Sequence, residues 1–269
     1  MENLMRADYH IHSNFSVDSK LEMEEIVLRS IELGLDEICF TDHVDYDVKN
    51  HIVDKQEVDY PEFFREYYRL KSLYEHKINI KIGLEFGVQI HTIPRYVEDM
   101  KKYDVDFVLL SCHQIENKEL WLNQYQEGKT QVEYNRGYYE YLYQLVDLFD
   151  DFSVLGHLDV IKRYDPQGIL DDEHVMDIVE KILKRVIEKG KGIEVNTSSY
   201  RYNLPDLTPS TRILKKYYEL GGRILTMGSD THRIDQLKDH FEEIIIQLKE
   251  IGFTDLYTFE KMNPNPYQI

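Results

Sequence analysis

The stretch Asp8-Tyr9-His10-Ile11-His12-Ser13-Asn14-Phe15-Ser16-Val17-Asp18 decides how the rest of the chain is read. Residues 7–12 read as a short strand near the N-terminus. Successive side chains on a strand point to opposite faces, so His10 and His12 share a face and can share one metal ion. Asp18 follows in a loop, and Ser19 with Glu22 forms a capping-box signature that opens a helix. A lone His-x-His pair says little; its weight comes from later strands that end in the same way.

Strand-like runs recur at 5–12, 37–43, 78–86, 105–113, 152–157, 192–197 and 223–230. Helical patterns fill the gaps, at 21–33, 61–75, 94–102, 132–149, 173–189, 211–220 and 234–251. This alternation predicts parallel βαβ units. Seven such units with no linker favour one closed barrel, a single domain spanning 1–269, over an open sheet. Two segments fall outside the repeat: 44–60, charged and irregular, and 114–130, which carries the only tryptophan, Trp121. Both follow a strand end, so both are expected to lie over a site. The tail is read as an edge strand at 253–259 followed by a surface strap.

Composition narrows the classes. With 50 acidic against 32 basic residues the net charge is −18, which lacks the basic footprint of a nucleic-acid groove. Hydrophobic residues make up 42% of 269 positions, enough for a sizeable core. No apolar run approaches the roughly 18 residues of a membrane span, and no signal-peptide pattern opens the chain. Cys39 and Cys112 form no disulfide framework, which fits a reducing cytoplasm. No obligate protein partner is evident.

The ends of the strands carry the chemistry. The first holds His10 and His12, and the next end Thr41-Asp42-His43, Gly83-Leu84-Glu85, Leu110-Ser111-Cys112-His113 and Gly156-His157-Leu158-Asp159. The last ends Gly228-Ser229-Asp230-Thr231-His232. In a parallel barrel the C-terminal strand ends form one face, where active sites sit. His10, His12, Asp18, His43, Glu85, His113, His157, Asp230 and His232 would converge there. Nine ligands exceed the needs of one ion, and Glu85 could bridge two. An imidazole-rich set supplemented by oxygen suits Zn, Fe or Mn. Such a cluster lowers the pKa of a bound water and presents hydroxide to an electrophile, so hydrolysis of phosphate esters or amides is the expected class. Arg163 and Arg201, each shortly after a strand end, offer planar forks matched to phosphate. Strand parity turns Cys112 toward the helices and Cys39 toward the barrel interior. Asp42 and Asp159 are candidates to orient ligand histidines.

His10-x-His12, Thr41-Asp42-His43, Glu85, His113, Gly156-His157-x-Asp159 and Gly228-Ser229-Asp230-x-His232 resemble, in order and spacing, the motifs of the polymerase and histidinol phosphatase (PHP) superfamily. Asp18, the run 156–164 and Glu194-Val-Asn-Thr-Ser with Arg201 resemble its histidinol-phosphate phosphatase branch. One departure is that Thr197-Ser198-Ser199-Tyr200 lacks the Gly and Leu common before the arginine in that branch.

The resemblance implies a distorted TIM-like (β/α)7 barrel with three divalent metal ions. His10, His12, Glu85 and Asp230 would hold one; Glu85, His113 and His157 the second; Asp18, His43 and His232 the third. Arg163 and Arg201 would grip the phosphate of a small monoester, L-histidinol phosphate, hydrolysed to L-histidinol in histidine biosynthesis. Asp18, His232 or a metal-bound water could relay a proton to the leaving alkoxide. Glu119, Trp121 and Tyr125 are candidates for the substrate's imidazole and ammonium. Two competing readings keep the barrel: a phosphodiesterase, nuclease or phosphotyrosine phosphatase with the same metals, and a scaffold without chemistry. Because all nine ligand positions are filled, the scaffold is disfavoured.

Overall fold

A computed structural model of the chain describes residues 5–49 and 57–269. Seven parallel strands form one sheet: β1 (Ala7–Ile11), β2 (Glu37–Val44), β3 (Asn79–Gly87), β4 (Phe107–Ser111), then β7 (Val154–Leu155), β8 (Gly192–Asn196) and β9 (Leu225–Gly228). Two-residue strands β5 (Gln114–Ile115) and β6 (Lys118–Glu119) make a small hairpin in the loop after β4. The sheet curls back on itself. His12 N–H donates to the Thr231 carbonyl at 2.9 Å, and Thr231 N–H to that of His10 at 3.2 Å, so β1 meets the chain just past β9.

Helices α1 (Met23–Glu32), α2 (Tyr60–Tyr74), α3 (Ile93–Met100), α4 (Gln131–Leu148), α5 (Met176–Glu188), α6 (Thr211–Glu219) and α7 (Phe241–Ile251) alternate with the barrel strands. Their apolar faces and the outward faces of the strands form one large core, which includes Phe40, Leu84, Leu110, Val195 and Met227. A separate inner cluster fills the lower barrel with Ala7, Tyr9, Cys39, Phe107, Leu109 and Val154. Cys112 packs in the outer core and Cys39 in the inner cluster, as parity predicted.

Pairing of β1 with β2 slips by one residue between Asp8 and Ile11. Below the slip Tyr9 packs inward; above it Ile11 packs outward and the histidines face the barrel axis. A bulge of this kind re-aims side chains beside a site.

Three expectations are corrected. The Ser19–Glu22 capping box does not form: α1 begins at Met23 with Glu22 at its N-cap and no side-chain cap, because the Ser19 hydroxyl donates instead to the His12 carbonyl. The last long helix begins at Phe241 rather than 234, since His240 takes a left-handed conformation that helix cannot propagate through. The tail adds no strand to the barrel sheet, which is nearly closed by the bridge between Ile11 and Thr231. It forms a separate antiparallel hairpin, β10 (Asp255–Glu260) with β11 (Asn263–Gln268), turning at Lys261 and Met262 with positive φ at both. Two successive left-handed residues match the twist of a tight hairpin, although the usual Asn-Gly signal is missing. The hairpin plugs the lower barrel with Phe259, whose N–H donates to the Tyr9 hydroxyl at 2.8 Å.

Candidate metal centre

The upper end of the barrel is lined by polar atoms that find one another instead of solvent. His10 and His12 from β1 meet Glu85 from β3 and Asp230, just past β9. The Nε2 atoms of His10 and His12 lie 3.3 and 3.4 Å from Glu85 Oε2, and 3.8 and 3.6 Å from Asp230 Oδ1. Ligands about 2.1 Å from a tetrahedral ion lie about 3.4 Å from one another, so these spacings are those of a coordination shell. His10 Nε2, His12 Nε2 and Glu85 Oε2 are buried without a hydrogen-bond partner. Orphaned polar atoms of this sort are expensive unless an ion satisfies them. The donor set therefore fits divalent transition metal.

The other oxygen of Glu85 faces a second pair. His157 Nε2 is 2.8 Å and His113 Nε2 3.2 Å from Oε1, which also accepts from Ser111 at 2.7 Å. Asp18 sits at the mouth, its Oδ2 3.2 Å from His232 Nε2 and 3.5 Å from His43 Nε2. His43 faces two ways, because its Nδ1 is 3.0 Å from Glu85 Oε2. The His12 ring stacks on those of His43 and His232, each at 4.2 Å between centroids. All nine sequence-predicted ligands thus come together: overlapping subsets of eight bring their ligand atoms within 4.8 Å of one another, and Asp18 joins through His43 and His232.

Burial opposes charge on Glu85, but His10, His43 and His113 outweigh it and hold the carboxyl well below its usual range. Burial likewise works against protonated histidine. The carboxylates of Glu194, Glu85 and Asp230 nonetheless raise His10, those of Asp18 and Glu85 raise His43, and those of Asp45 and Glu85 raise His113 to about 10. His12, buried beside His232 and His43, is pushed well down.

Behind the ligands lies a layer that the sequence reading mostly missed. Glu194 Oε1 accepts from His10 Nδ1 at 2.5 Å, and Asp45 Oδ2 from His113 Nδ1 at 2.7 Å. Each fixes a tautomer with Nε2 bare toward the centre. Parity along β8 could have signalled Glu194; Asp45 lies two residues past His43, where the strand is already turning away. Asp42 acts at one remove, accepting from the Ser13 and Ser16 hydroxyls, while Ser16 Oγ lies 3.1 Å from His12 Nδ1. Asp159 is corrected: it touches no ligand histidine but pairs with Lys162 at 2.9 Å and accepts from Ser210 N–H, its short loop having turned it outward.

The centre opens into a cavity of about 530 Å3 whose wall includes Asp18, His232, Arg163 and Arg201. Arg163 is buried and forked toward Asp230 Oδ2 at 3.4 Å, with Nη2 also donating to Ser198 at 2.5 Å. Arg201 donates to the carbonyls of Ser229 and Asp230. Gly228 allows this crowding, since a Cβ there would lie 2.3 Å from His10 Cβ. Glu119 and Trp121 also reach the cavity. Tyr125 does not; its hydroxyl is turned against Gly137 of α4, which has no side chain to exclude it.

A nearly closed seven-stranded barrel with a polyhistidine, carboxylate-bridged centre defines a class, and the sequence profile of the PHP domain matches residues 8–198: the chain belongs to the PHP domain family. Within it, the chain is 32% identical over 265 residues to the histidinol-phosphatase of Lactococcus lactis subsp. lactis, with 96% of each chain covered. The crystal structure of the histidinol phosphate phosphatase from that organism, complexed with Zn, L-histidinol and phosphate, superposes with a TM-score of 0.90 at 29% identity. That match covers 98% of this chain and 100% of the other. No helix among the described residues is long and apolar enough to cross a membrane.

Proposed function

We propose that this chain is a metal-dependent phosphomonoesterase that hydrolyses L-histidinol phosphate to L-histidinol and phosphate, a step of histidine biosynthesis. The observation that carries this reading is one cavity of small-molecule size lined by seven of the metal-capable side chains and both arginines, with His10 and His12 packed against Glu85 and Asp230 at its floor. The relatives named above support the substrate.

His10, His12, Glu85 and Asp230 would hold one ion, Glu85, His113 and His157 a second, and Asp18, His43 and His232 a third. Zn, Fe or Mn suits these ligands, and bound there would polarise a water and the phosphoryl oxygens. Charge argues for this load. Asp18, Glu85 and Asp230 surround the centre, and a phosphate dianion would be repelled by them unless cations offset them.

Arg163 and Arg201 grip phosphate oxygens and hold the phosphorus in line for attack. Both are pre-positioned by hydrogen bonds to Ser198, Ser229 and Asp230, so little is lost in orienting them. The buried floor excludes bulk water, which strengthens each of these contacts. Asp18 and His232 pair at the mouth, 3.2 Å apart, and one of them or a water bound beside them would pass a proton to the leaving alkoxide.

The test is phosphate release from L-histidinol phosphate, a general aryl phosphate and a dinucleotide, using protein of measured metal content. Strong preference for histidinol phosphate, abolished by a chelator and restored by Zn, Fe or Mn, is expected. Metal uptake without histidinol phosphate turnover would overturn the substrate and leave another phosphoester.

A further inference from the structure

Strand β8 supplies none of the nine ligands, yet its inward side chains Glu194 and Asn196, with Ser198 from the 3-10 turn after it, form a polar chain across the floor of the site. Glu194 accepts from His10 Nδ1 at 2.5 Å and from the His157 N–H at 2.8 Å. Asn196 Nδ2 donates to Glu194 Oε2 at 3.2 Å and to Asp230 Oδ2 at 3.4 Å. Asn196 Oδ1 accepts from the Ser198 N–H at 3.0 Å and from the Ser198 hydroxyl. Ser198 Oγ in turn accepts from Arg163 Nη2 at 2.5 Å. Glu194, Asn196 and Ser198 are wholly buried.

The donors and acceptors of this chain have a fixed order, although Arg163 Nη2 also reaches Asp230 Oδ2 at 3.4 Å and Asn196 Nδ2 lies 3.5 Å from His10 Nδ1. Carboxylate oxygens accept, so the amide nitrogen of Asn196 must face Glu194 and Asp230, and its oxygen must face Ser198. That oxygen takes the hydroxyl proton of Ser198, which leaves a Ser198 lone pair aimed at Arg163. The order runs Arg163 to Ser198 to Asn196, and from Asn196 to the carboxylates behind His10 and beside it. Aspartate in place of Asn196 would bring a third carboxyl against two others, and a hydrophobic residue would leave the buried Ser198 N–H and hydroxyl without their acceptor.

We infer that Asn196 is a positioning residue that couples the arginine clamp to the metal ligands, with Ser198 as its arm to Arg163. This rests on the reading of Arg163 as a phosphate ligand. Asn196 touches no reacting atom; it holds Glu194 and Asp230 on one side and, through Ser198, the guanidinium on the other. The site therefore orders phosphate grip and metal ligation together.

The experiment compares Ser198→Ala, Asn196→Ala, Arg163→Ala and the double variant Ser198→Ala with Arg163→Ala. The readouts are metal per chain, the inhibition constant of inorganic phosphate, and kcat and KM for histidinol phosphate, with folding checked by thermal melting. Ser198→Ala is expected to keep its metal and to weaken phosphate by about tenfold, an effect that disappears when Arg163 is already alanine, as for coupled partners. Asn196→Ala is expected to lose both metal affinity and phosphate affinity, about tenfold or more each. Independent, multiplying effects of Ser198→Ala and Arg163→Ala overturn the arm, and full metal and phosphate affinity in Asn196→Ala overturns the hub. Should Asn196→Ala fail to fold, the Ser198 and Arg163 cycle decides alone. Unchanged phosphate affinity in Arg163→Ala would instead sink the clamp reading, an outcome distinct from these.

Discussion

Glu85 Oε2 lies 3.3 Å from His10 Nε2 while its Oε1 lies 2.8 Å from His157 Nε2, so one buried carboxylate stands between two groups of imidazoles. Each of its oxygens serves a different group, and a neutral side chain of the same shape could not neutralise either. Glu85→Gln is expected to lose metal from both groups. Turnover should fall on the order of a thousandfold, equivalent to about 4 kcal/mol of transition-state stabilisation. Elemental analysis beside phosphate release checks this; a variant with full metal and near-normal rate would remove Glu85 from its bridging role.

Protons and metal compete for the same nitrogens. In metal-free protein His10 and His43 are raised by neighbouring carboxylates, and His113 to about 10. A raised histidine stabilises the fold fully below its unfolded value of about 6.5, and that stability is lost as pH climbs through the folded value. Glu85, Asp18 and Asp230 are depressed, so their contribution is present above about 4.5 and lost toward acid. Chelator-treated protein should be most stable near pH 5–6.5 and should lose melting temperature toward pH 10. Metal uptake near pH 7 should release protons, with affinity rising with pH. Melting curves from pH 5 to 10 and calorimetry in buffers of different ionisation enthalpy read both; a flat or rising melting temperature above pH 6.5 without metal contradicts the assignment.

Asp45 orients His113 at 2.7 Å and also accepts from the Gly87 N–H at 3.1 Å. Asp45→Asn can present an N–H where His113 needs an acceptor, which frees the imidazole to take the wrong tautomer. Affinity for metal at the His113 group should drop about 10–100-fold with the fold intact. Competition with a chromophoric chelator measures it, and unaltered affinity would show that the contact does not tune the ligand.

Phe259 offers a control far from the chemistry. It is buried in the lower barrel, 5.0 Å from Phe107 between ring centroids. Phe259→Ala should cost about 3–5 kcal/mol of stability by leaving a cavity. Metal content and KM of the folded protein should stay at the level of the unaltered chain. Denaturant melts with parallel kinetics test both halves, and a matching loss of metal would tie the tail to the centre.

Much of the site was legible because its residues sit at strand ends. A parallel barrel brings such ends to one face whatever the helices between them do, so His43, Glu85, His113 and His157 could be gathered before any coordinates. Asp159 was misjudged because a short helical turn after β7 rotates it away, and such turns leave no periodic trace. Asp45 was missed for a related reason, lying past the end of regular alternation. Glu194 and Asn196 stood in a run the sequence singled out, but their roles were hidden, because only their neighbours in space make them a network.

The order of strands, their inward faces, the ligand types and the two arginines follow from the sequence alone, because period-2 alternation and residue chemistry are local properties. The bulge in β1, the hairpin that plugs the barrel, the choice of which carboxylate backs which histidine, and the polar chain along β8 belong to the tertiary structure. Each depends on contacts between residues up to 250 positions apart, as between Tyr9 and Phe259, and on the burial that turns a shared hydrogen bond into a requirement.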